Sequence, residues 1–101
     1  MNQIENKKKV LEKIINLLNA KKYEEVILKV KPLIKKFPSD YIFYNALGMA
    51  LMNMGQFEES LKILDKAIKL NEKNIHVLNN LGLVHGYLAN YQKVLSFLTK
   101  I

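Results

Sequence analysis

Displaced by 34 residues, the sequence lies on itself. Asn45, Leu47 and Gly48 fall on Asn79, Leu81 and Gly82. Tyr23 falls on Phe57 and then on Tyr91, and Glu24-Glu25 falls on Glu58-Glu59. Ile27, Leu61 and Leu95 make one apolar column, Val30, Leu64 and Leu98 a second, and Leu33, Ala67 and Ile101 a third. A period of this length identifies a chain assembled from like units, each too small to bury its own apolar side and stable only when stacked on a neighbour.

Within a unit the spacing is helical. Tyr44, Leu47, Gly48 and Leu51 recur at i, i+3, i+4 and i+7, one face of a helix. Gly55 provides a stop, because glycine accepts the left-handed conformation that follows a helix end. A second helix carries Phe57, Leu61, Leu64, Ala67 and Ile68. Glu58 and Glu59 stand in its first turn and Lys66 and Lys69 near its end, which matches the helix dipole at both ends. The pattern predicts helix pairs over about 3–19 and 22–36, 41–54 and 57–70, and 75–88 and 91–100. Asn2 with Glu5 suits a capping box for the first helix, Ser39 or Asp40 a cap for the third, and Asn74 a cap for the fifth. Pro32 lies inside the second helix, where it removes a backbone donor and is expected to bend or weaken that helix.

Composition narrows the function. The chain has 101 residues, half of them apolar and a quarter charged, which is ordinary for a single folded domain. It has no cysteine, hence no disulfide framework, thiol nucleophile or Cys-ligated zinc. No apolar run reaches the length of a membrane span, and the start, Met1 to Lys9, has no signal-peptide core, so a cytoplasmic location is expected. The net charge of +7 comes from 16 Lys with no Arg, and residues 1–38 hold ten of those Lys against four Glu. A basic face without Arg, the preferred reader of phosphates and bases, reads as a solvated surface and not as a nucleic-acid footprint.

These motifs resemble the tetratricopeptide repeat family. The resemblance rests on the period of 34, on Tyr44-x-x-Leu47-Gly48-x-x-Leu51, and on Phe57-Glu58-Glu59-Ser60-Leu61 through Leu64 and Ala67. Leu78-x-x-Leu81-Gly82-x-x-His85 and Tyr91 repeat it, and Pro38 stands where such units often end. There are departures. The first unit has Val10, Lys13 and Ile14 at the signature positions, Glu72 replaces a terminal Pro, and Ser60 and Val94 stand where Ala is usual. The resemblance implies an all-α fold: an α-solenoid of three antiparallel helix-turn-helix hairpins wound into a right-handed superhelix. Residues 1–101 then form one domain, with repeats at about 7–40, 41–74 and 75–101, the last cut short.

It further implies a non-catalytic adaptor or scaffold whose first helices line a concave groove for a peptide or helix. The groove would hold Ile42, Asn45, Ala46, Met49, Met52 and Asn53 from the second unit, and His76, Asn79, Asn80, Leu83 and Tyr87 from the third. Glu12, Ile15 and Asn19 would extend it on the atypical first helix. The chemistry suits the role: Asn both donates to and accepts from a peptide backbone, Met adapts its shape, and Tyr anchors. The two-carboxylate clamp of some family members is not expected, because its positions hold Leu11, Ile15, Ala46, His76 and Asn80. The asparagine ladder of the branch fused to sugar transferases is matched at Asn80 but not at Ala46 or Glu12.

Catalysis finds no support. Nine residues at about 100° each put His76 and His85 on opposite faces of one helix, so they cannot share a metal. His85 is expected in a core or interface. The paired glutamates are explained by the helix dipole, and no phosphate loop or nucleophile motif is present. No cofactor, metal or nucleic acid is therefore expected, and the partner is expected to be a protein or peptide. Two alternatives stand beside the groove. Val94, Leu95, Phe97, Leu98 and Ile101 give the last helix more apolar surface than one neighbour covers, which suits self-association into a homo-oligomer. The chain could also be an interaction domain cut from a larger enzyme such as a glycosyl- or sulfotransferase.

Overall fold

In the computed structural model, residues 3–99 are described, with side chains from Asn6 onward. They form five helices: α1 (Gln3–Asn19), α2 (Tyr23–Lys36), α3 (Tyr41–Asn53), α4 (Phe57–Leu70) and α5 (Ile75–Thr99). The first four are the two antiparallel hairpins read from the repeat, with ends within a residue of expectation. The molecule is elongated, 61 Å in its longest dimension. Helices α1, α3 and α5 form one layer; α2 is wedged between α1 and α3, and α4 between α3 and α5.

The hairpin turns are built alike. Lys22 N–H donates to the Leu17 carbonyl at 2.9 Å, and Gln56 N–H donates to the Leu51 carbonyl at 2.9 Å, 34 residues on. This is the wide backbone bond that closes a helix when the preceding residue turns left-handed. That residue is Lys21 (φ 59°) in the first hairpin and Gly55 (φ 81°) in the second.

Among the described residues the third hairpin does not form. The expected helices at 75–88 and 91–100 are one unbroken helix, α5. The position equivalent to Lys21 and Gly55 is Ala89. Lys21 pays the roughly 1–2 kcal/mol that the left-handed conformation costs an L-residue, whereas alanine is the strongest helix former and resists the bend. Continuing the helix is therefore the favoured course.

Caps fix where helices begin. Asp40 accepts from Ile42 N–H at 3.1 Å at the start of α3 and also pairs with Lys7 of α1. Asn74 accepts from His76 and Val77 N–H, each at 3.1 Å, at the start of α5. The capping box expected of Asn2 and Glu5 lies outside the described side chains. Helix α2 runs on through Pro32, whose missing donor leaves the carbonyl of exposed Leu28 to solvent. Replacing Asp40 with Ala is expected to cost about 1 kcal/mol in urea unfolding, the usual loss for a cap. The adjacent Lys7 contact gives little more, being partly exposed.

The interior has two parts. The larger gathers Ile14, Val26, Val30, Phe43, Ala46, Leu47, Ala50 and Leu51, and joins the first hairpin to α3. The smaller gathers Met52, Leu64 and Val84 and joins α3, α4 and α5. Gly48, alone of the four glycines, permits a close approach: a Cβ there would stand 2.5 Å from Leu64 Cδ2. The same contact explains Ser60, fully buried, whose hydroxyl donates to the Gly48 carbonyl at 2.6 Å.

Candidate functional site

The repeat register assigns each exposed residue of α3 an equivalent on α1 and α5. Ile15, Met49 and Leu83 make one row across the three helices, and Leu11, Asn45 and Asn79 make the next. Ile15 (53%) and Leu83 (43%) are exposed, while Met49 is half-buried against the smaller core cluster. An apolar row bordered by amides is thus displayed by the helix layer expected to carry a groove.

The eleven groove residues divide. Ile42, Asn53, His76, Asn79, Leu83 and Tyr87 are exposed, and Asn45 and Met49 are partly so. Ala46, Met52 and Asn80 are buried and unavailable to a partner. The helices approach too closely at those positions for the side chains to remain on the surface. Asn80 has a structural role: its Nδ2 donates to Asn45 Oδ1 at 3.0 Å, tying α5 to α3. Asn53 folds back, donating to the Met49 carbonyl of its own helix at 2.8 Å. Tyr87 leans on Phe57 of α4, ring centroids 5.4 Å apart.

The aromatic column is uneven for the reason already given for the turn. Tyr23 and Phe57 pack at their hairpin bends, but Tyr91, with no bend, is 54% exposed. His85, expected in a core or interface, is exposed on α5. Val94, Leu95, Phe97 and Leu98 are all exposed, as the self-association reading requires, and Ile101 lies outside the described residues. Among the described residues no cluster of three or more His, Asp or Glu could hold a metal, and no helix is long and apolar enough to cross a membrane. On the basic half, a hydrogen bond with Lys13 of α1, and then the charge of that residue, lower the pKa of Lys29 on α2.

This architecture defines a helical-repeat protein. Residues 41–74, the central unit of α3 with α4, match the tetratricopeptide repeat family. Among solved structures, the chain is similar to MamA 41-end from Desulfovibrio magneticus RS-1. The TM-score is 0.74 at 23% identity, over 90% of this chain and 51% of that one. That likeness concerns the fold, and the chain spans about half the length of that structure. No curated protein matches it.

Proposed function

We propose that the chain is a non-catalytic protein-interaction module that holds an extended or helical peptide against the exposed side of α1, α3 and α5. The observation that carries this reading is the row Ile15, Met49 and Leu83, apolar on all three helices and bordered by Asn45 and Asn79. A solvated face has no need of such a row, whereas a peptide needs both an apolar seat and amides for its backbone. The match of the central unit to the tetratricopeptide repeat family supports the same class of function.

The test uses peptides selected from a random library on the wild-type chain. Ile15→Glu and Leu83→Glu change exposed positions, so stability is expected to move by no more than about 0.5 kcal/mol. Affinity for the selected peptides is expected to fall roughly tenfold or more, about 1.4 kcal/mol. Peptides that bind both variants as tightly as wild type would show that this face is not the seat. Met49→Glu is a poorer probe, because Met49 also touches the interior.

A further inference from the structure

From Ala89 to Thr99 every residue of α5 is exposed, about three turns of helix that the rest of the chain does not cover. The apolar residues along α5 keep a strict spacing. Val77, Leu81 and Val84 form the side turned to α3 and α4: Val77 and Val84 are fully buried, and Leu81 and Val84 pack with Leu64 of α4. In the same steps of four and three residues come Leu88, Tyr91, Leu95 and Leu98. Such steps hold residues on one side of a helix. Leu88 is half-buried, whereas Tyr91 (54%), Leu95 (43%) and Leu98 (56%) are exposed. One stripe is thus covered by the chain in its first half and bare in its second.

The spacing of the bare half identifies its cover. From Leu88 the steps to Tyr91, Leu95 and Leu98 are three, four and three, the same read from either end. Two such stripes laid antiparallel match in register, Leu88 against Leu98 and Tyr91 against Leu95, each contact made twice. We propose that a second copy of the chain is the cover: residues 88–98 of two α5 helices pair antiparallel, stripe to stripe, about a two-fold axis at the level of Lys93. Parallel pairing is closed off, because α3 and α4 of each copy lie on the stripe side of the first half of α5 and would claim the same space. In the antiparallel pair the two bodies stand at opposite ends. Leu98 of one copy then reaches Leu88 of the other, at the mouth of the cleft that Leu88 and Tyr91 share with Phe57 and Glu58 of α4.

The distribution of charge favours a second copy over an acidic or basic partner. A quarter of the whole chain is charged, yet α5 holds a single Lys, Asp or Glu in 25 residues, Lys93. At about 100° per residue Lys93 stands on the side of the helix opposite the stripe, where it stays in water on both copies. The stripe therefore offers a partner no charge to read, only an apolar seat that matches itself. Phe97, expected among the self-associating residues, is 70% exposed but lies about 140° from the middle of the stripe and takes no part. So few side chains make a small interface, and the Kd is expected on the order of ten micromolar.

The proposal does not depend on the peptide-binding reading, and its test needs no peptide. Light scattering on the gel-filtered chain, from about 1 to 300 micromolar, should move from 11.7 kDa toward twice that mass. Leu95→Asp puts a charge between the two helices and should weaken the association roughly tenfold or more. Phe97→Asp is the control and should leave it unchanged. Helicity should be kept in both variants, since both positions are exposed within one chain. The native chain has no cysteine, which permits a second readout. With Leu88→Cys and Leu98→Cys together, the two thiols of one chain lie about 15 Å apart along the helix, beyond disulfide reach, so oxidation should join two chains. Leu98→Cys alone should not cross-link, because its counterpart in the antiparallel pair is as far away. A monomer at every concentration, an assembly larger than a dimer, an equal loss with Phe97→Asp, or cross-linking through Leu98→Cys alone would each overturn the proposal.

Discussion

Gly48→Ala is expected to destabilise the wild-type chain yet stabilise the Leu64→Ala variant. In the native packing a Cβ at position 48 would stand 2.5 Å from Leu64 Cδ2 and 2.6 Å from its Cγ. Overpacking of this kind costs about 1–3 kcal/mol, against about 1 kcal/mol gained by placing Ala for Gly inside a helix. The clash therefore wins or the two nearly cancel. Leu64→Ala alone removes a fully buried side chain and is expected to cost about 2–5 kcal/mol. With Leu64 truncated the clash disappears, and Gly48→Ala retains the helix-propensity gain while filling part of the cavity. The two substitutions should therefore couple by about 1–3 kcal/mol in a double-mutant cycle from urea unfolding. Additive effects would mean that Gly48 does not set the distance between α3 and α4.

The same pair shows how far the sequence could be read. Gly48, Leu64 and the 34-residue offset were enough to place four helices and the side on which they meet. The fifth was misread because the repeat pattern continues through Leu81, Gly82, Tyr91 and Leu98, although the residue needed for the bend does not. The informative position was the turn, occupied by Lys21, Gly55 and Ala89. Lys21 makes its bend with a Cβ in place, so what sets Ala89 apart is its helix propensity, the highest of any residue, which wins over an apolar pattern that is otherwise intact. The groove was legible as a helix face but not residue by residue. Burial of Ala46, Met52 and Asn80 depends on how closely α3 approaches α5, a distance that no spacing in the sequence encodes. Their polarity gave no warning in the case of Asn80, whose partner Asn45 is 35 positions away.

Phe43→Ala is expected to act on the other core cluster from Leu64→Ala. Phe43 is fully buried, stacks on Phe37 at 5.7 Å between ring centroids, and belongs to the cluster that joins α1 and α2 to α3. Truncating it should cost about 3–5 kcal/mol, a large share of the roughly 5–15 kcal/mol that holds a whole domain. At about 4–8 °C per kcal/mol for a chain of this size, the melting temperature should fall by more than about 10 °C. In a stacked array each unit is held mainly by its neighbours, so the loss should be felt first in the first hairpin. Amide exchange should quicken in α1 and α2 before α4 and α5. Leu64→Ala should reverse that order, because its cluster holds α4 and α5 to the end of α3 and shares no buried residue with the larger one. If both variants accelerate exchange evenly over all five helices, the two clusters act as one cooperative core and the division between them has no energetic meaning.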